Sequence, residues 1–308
     1  MNVPQEVIAL AEQRIKARAN KDFALSDQLR NKIADLGFVV KDKPNGYELE
    51  IKPPFEVFEN IANLKVETNR LNKRISICLL VDGWLEDTKE CIDALLTFMP
   101  SDAVILALDL GNKESVGNYL AELEKENKNL VVIHTSQTLE QAGWANAINK
   151  LIELTPCEFS VVMDLSSIIS ADAITPLIDQ IKSDVVAAGW KGALVNLEDQ
   201  WRSVEDKGPG EVDILLGYLF AIKTKIAQEI PANAKAKFYR NADLEWSLAL
   251  RSKGHKLVAL GNELPVEQKR HRGYHDSDID YREKESKKTY DRILQNYRGK
   301  TQILSPRR

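Results

Sequence analysis

Cysteine is scarce in this chain of 308 residues. Cys78, Cys91 and Cys157 are odd in number and show no CxxC spacing, which excludes a disulfide framework and a zinc-knuckle pattern and points to reduced thiols in a cytoplasmic protein. Long apolar runs are missing too. The longest, Ile214 to Ile222, is far short of the roughly 20 residues that cross a bilayer, and Met1-Asn2-Val3-Pro4-Gln5-Glu6 has neither a basic nor an apolar leader region. Nor is there an excess of positive charge: 42 Lys and Arg stand against 46 Asp and Glu, a formal net charge of −4, so binding to nucleic acid needs a local basic patch. The phosphate-cradling GxGxxG and GxxxxGK[ST] loops are absent, which disfavours a dinucleotide dehydrogenase and a P-loop kinase, and neither HExxH nor GxSxG occurs.

What is present is an ordinary globular composition, 44% hydrophobic, in a chain about twice the length of a typical domain. Two helical stripes open it: Val7, Ile8, Ala11 and Ile15, then Phe23, Ala24, Leu29, Ile33 and Leu36. Asn20 or Asp22 can cap the second helix and Gly37 can stop it. Phe38-Val39-Val40 and Tyr47 to Ile51 then read as a hairpin across Pro44-Asn45-Gly46, so residues 1–52 form one small module. Pro53 and Pro54 punctuate the chain, a helical stretch is expected from Phe55 to Leu71, and residues 53–73 read as a linker.

From Ile75 onward apolar runs alternate with helical segments: Ile75 to Val81, Val104 to Leu108, Val131 to His134 and Ser160 to Met163 are strands with helices between them. That alternation predicts an α/β domain with a mostly parallel sheet covered by helices. The last residues, within a tail at 300–308, are expected to fray.

In open parallel sheets ligands sit at the carboxyl ends of the strands. Asp82, Asp109 and Asp164 occupy three such ends, where they can bind a ribose, a base or a cation, or simply cap the following turn. Further on, Asp243 and Glu245 open a helix that stops at Gly254. Either carboxylate can act as a general base toward a hydroxyl, or the two can be the acidic first turn that suits the helix dipole. His271 and His275 stand in the basic loop Arg270 to His275, which can neutralise a diphosphate, supply an imidazole to a metal, or be a solvated loop.

In this order the motifs resemble a family 2 glycosyltransferase of the GT-A fold over about residues 74–299. The first strand from Ile75, the strand ending Leu108-Asp109-Leu110-Gly111, Asn146 in Gly143 to Ile148, Met163-Asp164-Leu165-Ser166 in the place of the DXD motif, and Asp243-Leu244-Glu245 with Arg251 and Gly254 carry the resemblance. The tail from Arg270 to Tyr297 is similar to the post-catalytic segment of a bacterial subset. The resemblance implies donor contacts from Asp82, Asp109, Asn146, Asp164, Ser166 and His271, catalysis by Asp243 or Glu245, and a Mn²⁺ or Mg²⁺ ion at Asp164. Two departures stand out: Ser166 replaces the second acidic residue of DXD, and Val81-Asp82-Gly83-Trp84 replaces the usual Pro-Thr-Tyr-Asn type of turn.

The first 50 residues resemble instead the C-terminal module of cysteinyl-tRNA synthetase, through Arg14, Ala17 and Arg18, Lys21 to Arg30, Leu36-Gly37 and the Pro44-Asn45-Gly46 turn. That module belongs to the tRNA-recognising part of the synthetase, so tRNA or another RNA is an implied partner, although a solvated helical face also accounts for the charges. The expected function is transfer of a sugar from a nucleotide-sugar donor to an unidentified acceptor hydroxyl, with inversion. The alternatives are a non-catalytic nucleotide-sugar-binding or scaffold protein and an RNA-binding adaptor.

Overall fold

Helices α1 (Gln5–Ala19) and α2 (Phe23–Asp35) open the computed structural model, which describes residues 3–43 and 46–306. Of the two candidate caps for α2 it is Asp22 that accepts the Leu25 N–H, at 3.0 Å. Gly37, at φ +81°, turns the chain out of the helix. Strands β1 (Phe38–Lys43) and β2 (Gly46–Ile51) pair antiparallel with Phe38 opposite Ile51. Pro44 and Asn45 of the expected turn lie outside the described residues.

Val7, Ala11, Ile33 and Val40 form the core of this module. Phe23 and Leu36, on the expected apolar stripe, are instead 60% and 41% exposed, because so small a module has little interior beyond Leu29 and Ile33. Arg14 departs from a solvated face in the other direction. It is buried and grips Asp42 with two guanidinium nitrogens at 2.6 and 3.2 Å, while Arg18 reaches the same carboxylate at 3.6 Å. The Arg14 bond holds the Asp42 carboxyl below its usual range and ties β1 to α1.

Residues 1–55 and 56–308 are separate compact units. In the second, β3 (Val57–Phe58) comes first, and β4 (Ile75–Val81), α3 (Leu85–Phe98), β5 (Ala103–Leu110), α4 (Val116–Glu126), β6 (Leu130–Thr135), α5 (Leu139–Ala142), α6 (Trp144–Leu154) and β7 (Phe159–Met163) follow the expected alternation. Residues 55–71 are not a helix. Val57 pairs with His134 at the sheet edge, and the Asn60 side chain accepts the Ala62 N–H at 2.8 Å, a local bond that competes with helix formation, so only short 3₁₀ turns follow.

The chain continues through β8 (Ser167–Ile169), α7 (Thr175–Gln180), β9 (Val185–Gly189), β10 (Gly192–Val195), β11 (Val204–Asp206), β12 (Gly210–Val212), β13 (Ile214–Leu215), β14 (Leu219–Lys223) and α8 (Thr224–Glu229). It ends with α9 (Ala242–Ser252), β15 (Lys256–Ala259), β16 (Val266–Gln268), α10 (Arg272–His275) and α11 (Ile279–Tyr297). The central sheet has the order β12-β15-β9-β14-β7-β4-β5-β6-β3, with β3 to β7 parallel and β14 antiparallel to both its neighbours. Two smaller ribbons, β11-β10-β13 and β16-β8, complete the framework.

Both sheet faces are covered, which is why the strands read as continuous apolar runs. Ile77, Leu79 and Ile105 pack with Ile92, Leu95 and Leu120 on one side; Cys78, Leu106 and Leu108 pack with Trp144, Ile148 and Leu151 on the other. Each such side chain contributes about 1.5–3 kcal/mol on burial. The tail is packed, contrary to its expected fraying: Ser305 is 2% exposed and donates its N–H to the buried Asp213 at 2.5 Å, and Arg251 Nε donates to the Ile303 carbonyl at 2.7 Å. Arg307 and Arg308 lie outside the described residues. No helix among the described residues is long and apolar enough to cross a membrane.

Candidate active site

A cleft of about 2020 Å³ opens at the carboxyl ends of β4 and β7. At its β4 end Asp82 pairs with Lys113 at 2.7 Å. Burial raises the Asp82 pKa against the opposing pull of that ammonium. Gly83 and Trp84 follow with positive φ (+92° and 58°), so the chain turns sharply into α3, and the Arg272 guanidinium lies 5.5 Å over the Trp84 ring while bonding Asp87 at 3.0 Å.

Asp109 stands differently. It is wholly buried, with Oδ2 2.9 Å from His134 Nδ1 and Oδ1 accepting the Asn112 N–H at 3.1 Å, and it is not among the residues that line the cleft. Its position one residue before the end of β5 turns it into the protein rather than past the sheet edge. Asn146 is also outside the main cleft, bonding the Ala142 carbonyl at 3.0 Å and lining a separate shallow groove.

Beyond β7, Asp164 donates its backbone N–H to the Tyr218 carbonyl at 3.0 Å. One carboxylate oxygen, Oδ1, accepts from the Ser166 N–H at 2.8 Å and from the Ser166 hydroxyl; the other lies 3.0 Å from His271 Nε2. Burial pushes this carboxyl up, but the neighbouring His271, which bonds it, and the two Ser166 bonds outweigh burial and hold it below its ordinary value. His271 is itself clamped: Nδ1 accepts the Tyr274 N–H at 3.2 Å, and the Tyr239 ring stacks on the imidazole with centroids 4.4 Å apart. The arrangement turns Nε2 toward Asp164.

Asp243 lies in the first turn of α9 and lines the same cleft. Burial lifts its pKa to about 6, although the Gly217 N–H at 2.8 Å and the Leu244 N–H at 2.9 Å favour the ionised form. Glu245, two residues on, points elsewhere: it is 3% exposed, takes Asn233 Nδ2 at 2.8 Å and Arg292 at 3.1 and 2.8 Å, and ties α9 to α11.

The structure therefore gathers Asp82, Asp164, Ser166, His271 and Asp243 and leaves Asp109, Asn146 and Glu245 out. Sequence reasoning passed over Tyr218, Tyr239 and Lys191, which line the same cleft. The aromatic pair Phe238-Tyr239 before the acidic motif and the segment Gly189-Trp190-Lys191-Gly192 were the available signals.

Among the described residues no group of three or more His, Cys, Asp or Glu side chains is gathered to hold a metal. The pair Asp164 Oδ2 and His271 Nε2 nonetheless fits two sites on a cation: neighbouring ligands on a six-coordinate ion with bonds of about 2.1 Å stand about 3 Å apart, against 3.0 Å here. A cation would take the place of the proton the pair shares.

Residues 2–48 match the family model described as the cysteinyl-tRNA ligase anticodon binding domain. Cysteine–tRNA ligases of Bacteroides fragilis and Bacteroides thetaiotaomicron are 52% and 59% identical to this chain over 42 and 39 residues, which is 14% and 13% of the chain. The chain spans only 9% and 8% of those two enzymes. Among solved structures, GalNAc-T7 with UDP, GalNAc and Mn²⁺ is similar at a TM-score of 0.55 and 16% identity, over 72% of this chain and 48% of that one. The mannosyltransferase PcManGT from Pyrobaculum calidifontis, with GDP-Man and Mn²⁺, gives 0.51 and 14% over 88% and 70%. The fold is that of the GT-A glycosyltransferases, and the N-terminal unit is similar to the anticodon-binding module of cysteinyl-tRNA ligases.

Proposed function

We propose that the protein transfers a sugar from a nucleoside-diphosphate donor to an acceptor hydroxyl, inverting the anomeric centre. The observation that carries this reading is Asp243, a carboxylate with a pKa of about 6 in the same cleft as the Asp164–His271 pair. Asp243 takes the acceptor's hydroxyl proton as the acceptor oxygen bonds to the anomeric carbon. The bond from that carbon to the diphosphate oxygen breaks, and the nucleoside diphosphate leaves with the electron pair. One displacement from the opposite face inverts the configuration.

Asp164 and His271 would hold a divalent cation, Mn²⁺ or Mg²⁺, which when bound neutralises charge on the diphosphate. Ser166 fixes the carboxylate through Oδ1, so Asp164 presents Oδ2. Asp82 and Trp84 flank the end of the cleft where the nucleoside is placed in this reading.

The test is direct. The purified protein is titrated with UDP and GDP in the presence of Mn²⁺, and nucleoside diphosphate release from UDP-sugars and GDP-mannose is followed with a panel of hydroxylated acceptors. Binding with release supports transfer; binding without release supports a nucleotide-sugar-binding scaffold; no binding of either nucleotide removes the reading.

The match over residues 2–48 favours a second reading for the N-terminal unit alone, contact with tRNA or another RNA. Arg14 is committed to Asp42, so phosphate contacts fall to exposed residues such as Lys21 and Lys32. A gel shift with tRNA at low salt tests it, and no retardation there removes it.

A further inference from the structure

Most cations on the Asp164 side of the cleft are neutralised by a carboxylate: Lys113 by Asp82, Arg272 by Asp87, Arg270 by Asp276, Lys269 by Glu267. Among the described residues Lys191 has no such partner. Its ammonium bonds Gln268 Oε1, at 3.2 Å, and lies 4.3 Å above the Trp190 ring and 5.3 Å from the Tyr218 ring centroid. An ammonium has three donors, so two remain to be used in a cleft that is already partly desolvated. The backbone here has little freedom. Trp190 and Lys191 bond the 216–219 segment at 2.9 and 3.0 Å, and a Cβ on the next residue, Gly192, would meet Val212 at 2.9 Å and Ala259 at 2.7 Å.

Two of the three groups around the ammonium, Gln268 and Tyr218, are linked by hydrogen bonds to the segment that carries Asp164. Gln268 lies opposite Ser167 in the β16-β8 ribbon, Lys269 donates its N–H to the Ser166 carbonyl at 2.7 Å, and the Tyr218 carbonyl accepts the Asp164 N–H at 3.0 Å and the Ser167 hydroxyl at 2.9 Å. The positive charge is therefore held in the cleft by groups of the same framework that positions Asp164. Aromatic faces hold it in place without cancelling its charge.

Resting on the transferase reading above, we propose that Lys191 recognises an oxyanion of the donor, either its diphosphate or the carboxylate of a uronosyl group. Calorimetry on the full chain with Mn²⁺ and UDP, GDP, UDP-glucose and UDP-glucuronate separates the two. K191M removes the charge while keeping much of the stem; K191Q removes it with a different shape, and either variant with a wild-type melting temperature serves. If the diphosphate is the partner, UDP or GDP binds about 10- to 100-fold more weakly, the usual range for a charge-assisted bond. If the carboxylate is the partner, nucleoside diphosphate affinity is unchanged, and a wild-type preference for UDP-glucuronate over UDP-glucose disappears. Wild-type affinities for every ligand in a folded variant overturn the proposal alone. Failure of the wild-type protein to bind any of the four overturns the transferase reading and this proposal together.

Discussion

The Gly217 N–H donates to Asp243 Oδ2 across 2.8 Å, from a loop 26 residues earlier in the chain. That bond fixes the carboxylate's direction and leaves its pKa to be set by burial, which wins and holds it at about 6. A group so placed is deprotonated at neutral pH yet close enough to neutrality to accept a proton as a hydroxyl attacks.

Replacing it should separate binding from chemistry. Asp243→Asn is expected to lower turnover by about 10²- to 10⁴-fold while leaving UDP or GDP affinity unchanged, because a general base acts in the transition state. Melting curves establish that the variant is folded. Nucleotide affinity falling in step with turnover would place Asp243 on the donor instead.

The pH dependence follows with a definite sign. Turnover should rise with pH through about 6 and level off above it, and the limb should vanish from residual activity in Asp243→Asn. Stability runs the other way: a carboxyl raised by the fold favours its neutral form, so its contribution is present below the ordinary carboxyl range and is lost as pH rises through about 6. Asp243→Asn should therefore melt higher than wild type at pH 8, by an equivalent of about 1–3 kcal/mol, and similarly to it at pH 4. An acid limb centred near 4 would show that burial does not govern this group.

Asp164→Ala should abolish the gain in nucleotide affinity that Mn²⁺ gives the wild-type protein. Calorimetry with and without the ion measures it. A variant still sensitive to Mn²⁺ would move the ion away from Asp164 and His271.

Asp109→Asn should act on stability and not on the site. Disturbing a buried hydrogen bond typically costs about 1–3 kcal/mol, and Asp109 is wholly buried against His134 at 2.9 Å. Nucleotide affinity measured well below the melting temperature should match wild type, and a selective loss of affinity would return Asp109 to the donor site.

Residues 56–308 without the N-terminal unit should keep a cooperative melting transition and wild-type nucleotide affinity, since residues 1–55 form their own core around Val7, Ala11 and Ile33. Loss of the transition would show that one core depends on the other.

The sheet was legible because β4 to β7 are buried on both faces, so their apolar runs stand out against the polar turns. The site was less so. Asp82, Asp109 and Asp164 look alike along the chain, since each follows an apolar run, but β5 runs two residues past Leu108, to Leu110, and so keeps Asp109 within the buried sheet. Asp243 and Glu245 are likewise near neighbours, and only the packing of α11 against α9 shows that Arg292 has claimed Glu245. The stretch from Phe55 misled because its apolar spacing suits a helix, while Val57 had a sheet edge to join.

Asp164 comes from the middle of the chain, whereas His271 arrives after the whole sheet is built and is followed by the anchors at Ile303 and Ser305. During synthesis on a ribosome, β3 to β7 and Asp82 emerge well before residue 271, so a nascent chain can shape one end of the cleft long before it can close the other. Until residue 271 and the helix behind it have emerged and docked, Asp164 lacks its imidazole. The order of translation thus keeps Asp164 and His271 apart until the chain is nearly complete.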